Sequence, residues 1–444
     1  MSLETEPHSS AQSDLPVVLI ISPHFPPSTL AGVHRARHLA KHLPAHGWQP
    51  VIIRADERHY TEAPDPELAA LLPEDIIQIR TGAWSAKWTR KLGIGDIGIR
   101  AYSRIKTAIC DAVVKYNPRA ILITGSPFYP MLMTSWIKAN FDLPVVLDFQ
   151  DPWINGTGGS RPYFSKGRMA HRLSVALEPK AVREADWVTS VSALQNEQMA
   201  ARYPHFSVDR MSAIPIGGDP EDYDALRSSP PQNTPVKLPE GTFNLCYVGT
   251  FLPRATRVAE ALFEAVSTLV QHTPSLREKL RLVFVGTSNQ PPGLGARAPK
   301  HLIKPIADAA GLGGMVVEHP ERVPFLNALS LLANADAIMM IGSDEPHYTA
   351  SKIYPGLMSG TPFLSLFHEQ SSSHQILSNA GGGLAHGFSD IDQIGDLQSA
   401  LIESLTTLMR PGIDLGKPNP SSYANYTADS VSQAFADVFR SCAT

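Results

Sequence analysis

The chain has 444 residues, three cysteines and a formal charge of −4, with apolar and charged residues in ordinary proportion. That length exceeds what one hydrophobic core spans, so two domains are expected. The near-balanced charge argues against a disordered chain and gives no case for nucleic acid as a partner.

Residues 1–14 are polar and acidic, with neither a cationic nor an apolar stretch, and read as a disordered tail rather than a signal peptide. The longest apolar runs, VVLII (17–21) and AIMMI (337–341), are strand-sized and too short to span a bilayer. Cys110, Cys246 and Cys442 lie far apart and no C-x-x-C occurs, so neither a disulfide framework nor a zinc site is indicated and a reduced, cytoplasmic setting fits.

Apolar runs predict strands at 17–22, 50–54, 120–124, 144–149, 187–191 and 212–216. A second series follows at 243–248, 281–285, 315–317, 335–341 and 362–366. Helical periodicity falls between them, at 32–43, 101–116, 167–184, 193–202, 257–271 and 323–334. This alternation predicts an α/β protein of two doubly wound, Rossmann-like domains facing a cleft. The Pro- and Ser-rich stretch 228–242 divides the series. The expected units are a first domain over 15–230, a linker over 231–242, a second domain over 243–428, and a helix over 429–444 that crosses back to the first domain.

Each half opens with a strand, a glycine-containing loop and a helix: VVLIISPHFPPSTLAGVHRARHLAKHL in the first and FNLCYVGTFLPRATRVAEALFEAV in the second. Such loops let backbone amides approach a phosphate. Neither has the G-x-G-x-x-G spacing or the closing acidic residue of a dinucleotide site, so nicotinamide binding is disfavoured. Near the other end, GSDEPHYTASKIYPGLMSGTP (342–362) reads as the end of a strand, a polar loop, a short helix and the next strand's start. Loops there, beyond the carboxyl ends of strands, are where a phosphorylated ligand is held. Pro355 constrains that helix: with Ser351 as N-cap it would lose the first helical hydrogen bond, whereas a start at Tyr354 places it at N1 and leaves Ser351 and Lys352 in the loop. The GTGGS at 156–160 follows no strand and reads as a flexible loop. Residues His34, His38, His42 and His46 recur at i, i+4, opposite the apolar Val33, Ala36, Leu39, Ala40 and Leu43. With no carboxylate to complete a ligand set, they read as a solvated helix face and not a metal site.

In order and spacing these segments resemble the two-domain GT-B glycosyltransferases, specifically the retaining family-4-like group. The segments carrying the resemblance are SPHFPPSTLAGVHRARHLAKHLPAHGWQPVII, LDFQDPW (147–153), ADWVTSVSALQ with IPIGGD (214–219), YVGTFLPR (247–254), ERVPFLNALSLLANADAIMMI and SKIYPGLMSGTP. The resemblance implies a glycosyltransferase acting on a nucleotide diphosphate-sugar and a hydroxyl acceptor, with retention and without a metal or other cofactor. One departure stands out. The group often carries two glutamates separated by seven residues; here the second position is Pro355 and the first is His347, with Glu345 close by. An unusual donor, reassigned contacts and lost catalysis all remain open, so a silent nucleotide-sugar-binding protein and a nucleotide-sugar epimerase stand as alternatives.

Candidate donor-site residues are Gly249, Thr250, Arg254 and Arg257, with Ser351 and Lys352, because charge builds on the diphosphate as the sugar leaves. The alternative for the arginines is a solvated helix start, and for Ser351 and Lys352 an ordinary cap and a surface lysine. Gly32 and Arg35 are further donor candidates by resemblance. Asp148 and Asp151 are candidates for acceptor chemistry, with Asp151 assigned only to positioning; Trp153 and His24 are candidate acceptor contacts, and Asp219 is a weaker one. Structural turn aspartates are the competing reading. Residues 84–106 concentrate six Lys or Arg with two Trp and one Asp, which suits either an anionic membrane surface or a helix whose cations snorkel over a core. An envelope or exopolysaccharide acceptor, glycan or lipid-linked, and a peripheral position on the inner membrane face follow from that patch and the resemblance.

Overall fold

The computed structural model describes residues 15–154, 162, 165–288, 299–344 and 351–443. The polar tail 1–14, the GTGGS loop, Glu345 and His347 lie outside them. The described strands form two parallel sheets. The first has the order β3-β2-β1-β4-β5-β6-β7 and comprises β1 (Val17–Ile21), β2 (Gln49–Ala55), β3 (Ile77–Thr81), β4 (Ala120–Gly125), β5 (Val145–Phe149), β6 (Trp187–Ser190) and β7 (Met211–Ala213). The second has the order β10-β9-β8-β11-β12-β13, from β8 (Phe243–Val248), β9 (Leu280–Val285), β10 (Val316–His319), β11 (Ala337–Ile341), β12 (Phe363–His368) and β13 (Gly383–Phe388).

Apolar continuity in β1 follows from burial on both faces. Leu19 and Ile21 enter one core with Val51 and Ile121, while Val18 and Ile20 enter another with Leu39, Leu122 and Phe435. In register, Leu19 stands opposite Val51 on one side and Ile121 on the other. Two strands, β3 and β13, were not anticipated. Both are sheet edges, and their sequences, IQIRT and GLAHGF, are only partly buried and carry polar residues or glycine.

The helix Ala428–Ala443 returns to the first domain, where Val431, Phe435 and Phe439 join the β1 core and Phe439 meets Trp48 edge-on at 5.4 Å. The crossing is pinned at the IPIGGD element: Gly218 N–H donates to Tyr426 O (3.0 Å) and Ala428 N–H donates to Gly218 O (2.7 Å). Gly217, at φ +74°, lies so close to Tyr426 that an added Cβ would come within 2.5 Å of its carbonyl. A side chain there is excluded on both counts.

Candidate functional site

The carboxyl ends of β8, β9, β10 and β11 carry the loops that face the first domain. Gly249 and Thr250 follow β8, Arg322 follows β10, and Ser351 and Lys352 follow β11. The helix after β11 runs Ile353–Ser359 with Lys352 at its N-cap and no side-chain cap. Its start falls between the two alternatives read from the sequence. Pro355 is therefore at N3, still in the first turn, where no intrahelical N–H bond is required; the first helical bond is Gly356 N–H to Lys352 O, 3.3 Å. The Pro355 carbonyl accepts from Tyr223 Oη of the first domain at 2.6 Å.

Lys352 and Gly249 meet. A Cβ on Gly249 would lie 2.5 Å from Lys352 Cδ and 2.7 Å from Cε, and Gly249 has φ +155°. Glycine thus clears the path of the lysine stem across the end of β8. No described carboxylate lies within ion-pair distance of Lys352. Lys352 is exposed as a residue, but the surrounding protein, and Arg322 beside it, push its pKa down to about 8. Arg322 NH1 donates to Thr29 O of the first domain at 3.4 Å. Two cations side by side are unfavourable by themselves, and a bound anion relieves that repulsion.

Arg254 is partly buried in the turn Pro253–Ala255, whereas Arg257 is exposed and ion-paired with Asp392. Any anion must compete with that carboxylate for Arg257. Thr250 O accepts from Tyr247 Oη at 2.9 Å, and the Gly249 N–H is spent on Val285 O at 2.8 Å. Beside them, buried Glu318 of β10 accepts Thr287 Oγ1 (2.7 Å) and the N–H groups of Leu302, Ile303 and Lys304. Burial alone would raise its pKa, but these donors outweigh it and hold the carboxylate below its usual range.

On the first domain, the loop after β1 holds His24 and Gly32. His24 Nδ1 lies 3.1 Å from Glu62 Oε1, with the Ser28 hydroxyl also donating to that oxygen. Burial would raise Glu62, yet His24 and Ser28 outweigh it and hold the carboxyl at about 2. A carboxylate on Nδ1 orients the ring and leaves Nε2 for a second partner. Gly32 is the N-cap of the helix Val33–His42, and its carbonyl accepts from Gln150 Nε2 at 3.1 Å. Asp151 is exposed after β5, and its protein surroundings push its carboxyl upward.

Five expectations are corrected by burial. Arg35 and Asp148 have no exposed surface and pair at 3.1 Å. Arg35 also donates to Ile214 O and Pro215 O and stacks on Phe435, while Asp148 accepts from Thr124 and Thr189. Every polar group of the pair is thus committed to the protein, leaving no donor contact for Arg35 and no acceptor chemistry for Asp148. Trp153 is 7% exposed, with Phe128 stacked at 5.4 Å and Tyr129 against its edge, so no indole face is open for a sugar. The histidine row is not a solvated face. The IPIGGD loop and the helix Glu221–Ser228 fold over it: Arg37 pairs with Asp222, Lys41 and His42 with Asp219, and Phe325 of the second domain covers His34 at 4.7 Å. Asp219 is likewise buried, and although burial opposes its ionisation, His42 and Lys41 hold it well below the usual carboxylate range.

Sequence reasoning missed Arg322, Glu62 and Glu318. Arg322 had a usable signal, a cation just beyond a strand end. Glu62 and Glu318 had none, since their partners are remote in sequence.

Two parallel, doubly wound domains facing one another across such loops define the GT-B fold. Residues 31–217 match the family model described as a glycosyl transferase 4-like domain. The resemblance to family-4-like GT-B glycosyltransferases therefore holds in the fold and in the first domain. Anabaena HepE, solved in complex with UDP and glucose, shares the fold at TM-score 0.58 and 13% identity, over 96% of this chain and 99% of its own. The α,α-trehalose 6-phosphate synthase of Burkholderia multivorans does so at 0.60 and 10%, over 96% and 99%. The UDP-GlcNAc 2-epimerase of Methanocaldococcus jannaschii does so at 0.53 and 11%, over 96% and 100%. No curated protein matches the sequence significantly.

Proposed function

We propose that the protein is a glycosyltransferase that moves a sugar from a nucleotide diphosphate-sugar to a hydroxyl acceptor. The observation that carries this reading is Lys352, lying over Gly249 beside Arg322 with no described carboxylate against it. In this reading Lys352 and Arg322, with Arg254 and the loops at Gly249–Thr250 and Ser351, take the diphosphate and stabilise its charge as the sugar leaves. Gly32 borders the same space from the first domain. These cations supply the charge without a resident metal, and the sugar retains its anomeric configuration. His24, oriented by Glu62, and Asp151 face the acceptor hydroxyl, and cleft closure excludes water. The acceptor is an envelope or exopolysaccharide glycan, and the enzyme works on the cytoplasmic side.

Support comes from the glycosyl transferase 4-like match and from the fold shared with HepE, which was solved with UDP and glucose. Pro355 favours a second reading, a silent nucleotide-sugar-binding protein, because no carboxylate can stand at that position. The shared fold of the archaeal epimerase keeps nucleotide-sugar epimerisation as a third outcome. A thermal-shift screen over UDP-, GDP- and ADP-sugars, followed by turnover with each stabilising donor, separates them. A ligand at 100 times its Kd adds about 2.7 kcal/mol of stability. Binding with transfer supports the proposal; binding without turnover favours the silent protein; epimerised donor favours the third; no binding refutes all three.

A further inference from the structure

The edge of the first domain carries a feature that sugar transfer does not use. Trp84, Trp88 and Leu92 expose 63%, 67% and 79% of their surface. Trp88 lies in the short helix Ala86–Thr89, Leu92 ends the 3-10 turn Arg90–Leu92 that continues it, and Trp84 stands just before both. With Ser85, Thr89 and Lys91 they line a hollow of about 410 Å³. Exposed Lys87, Arg90 and Lys91 surround them, no acidic residue occurs from 84 to 95, and Lys91 Nζ sits 4.6 Å over the Trp88 ring.

The segment is firmly held. Trp84 N–H donates to Arg100 O (3.0 Å), Arg100 NH1 returns a bond to Trp84 O (2.9 Å), and Arg100 NH2 donates to His59 O (3.0 Å). Ile94 N–H closes the second turn on Thr89 O at 2.9 Å. The indoles are therefore presented by ordered backbone rather than by a frayed end. An apolar cluster kept in water by such a frame marks a contact surface. It begins three residues beyond the carboxyl end of β3, on the same carboxyl-end side of the parallel sheet as the loops holding His24 and Asp151.

We propose that residues 84–92 dock the protein on an anionic lipid bilayer. Indoles at headgroup depth, a leucine beyond them and flanking cations match the chemistry of that interface. A glycan-binding hollow would offer hydroxyl partners, but this one is lined by two hydroxyls, and that of Thr89 is already spent on Ser85 O. Docking here would bring the acceptor side of the cleft to a lipid-linked glycan; that consequence rests on the transferase reading, and the docking itself does not.

The test is co-sedimentation of the full-length protein with phosphatidylcholine vesicles, with and without phosphatidylglycerol, together with the tryptophan emission shift. Binding is expected only with the anionic lipid. Near the surface each cation contributes about fivefold, so K87A/R90A/K91A should lower partitioning by roughly 100-fold. W84S/W88S should abolish the emission shift with the circular dichroism spectrum unchanged. Equal binding to neutral vesicles, no binding to either, or unaltered binding by both variants overturns the proposal. So does a dimer, or binding of a soluble oligosaccharide, that is lost in W84S/W88S. Nucleotide-induced thermal shift, measured on the same samples, reports the donor site independently, so failure of one reading is distinguishable from failure of the other.

Discussion

Replacing Lys352 by methionine keeps the stem over Gly249 and removes the charge. In the folded protein this amine titrates at about 8 against 10.5 for a free lysine, because the surrounding protein and Arg322 disfavour its charged form. Below pH 8 both folded and unfolded states are protonated, and the folded state carries the whole penalty. Between 8 and 10.5 the folded state sheds its proton first, so stability attributable to this group rises with pH through that window. K352M should therefore stabilise the ligand-free protein at neutral pH. Lys352 is an exposed residue, so solvent screening limits the gain to no more than about 1 kcal/mol, or roughly 2–4 °C in Tm for a domain of this size. The same variant loses a charge-assisted contact to the donor diphosphate, about 1.5–3 kcal/mol, which is roughly 10- to 100-fold in Kd. Differential scanning fluorimetry, with and without the stabilising nucleotide-sugar, reads both effects at once. Wild-type affinity should hold below pH 8 and decline above it, and the variant should lose that pH dependence. A variant that is destabilised without ligand, or that binds as tightly as wild type with an unchanged pH profile, would refute the argument that Lys352 is held for an anion.

Three further outcomes follow from the same geometry. Introducing R35M or D148A strands a buried charge and should cost about 3–5 kcal/mol in urea unfolding; a loss below 1 kcal/mol would mean the pair is not buried as described. E62Q should cost about 1.5–3 kcal/mol at neutral pH through weakened bonds to His24 and Ser28. Because Glu62 titrates near 2 against an ordinary 4.5, that difference should be full above pH 4.5 and fade as the pH falls toward 2, which an acid-unfolding series checks. G249A should push Lys352 aside and impose a strained backbone, at about 1–3 kcal/mol, and it should lower nucleotide affinity as K352M does; normal affinity in a folded G249A would contradict the close approach.

The inner strands were legible because they are buried on both faces, which forces runs such as VVLII and AIMMI. Edge strands β3 and β13 feel no such demand and left no signature. Helical projection correctly separated Leu39 and Ala40 from His38 and His42, but it could not tell whether the polar side was wet. That depended on Asp219, Asp222 and Phe325, brought over it from elsewhere in the chain. The pairing of Gly249 with Lys352 was anticipated as two halves of one site, since both follow strand ends that a parallel sheet must align.

By itself, then, the sequence determined the layered α/β architecture, the loops that gather at the strand ends and the family they resemble. Local spacing and burial on both faces suffice for that. Only the tertiary structure decided which charges those loops offer. Arg35 and Asp148 neutralise one another in the core, whereas Lys352 stands beside Arg322 without a described carboxylate. The difference is one of partners and dielectric, and neither is a property of the residue alone.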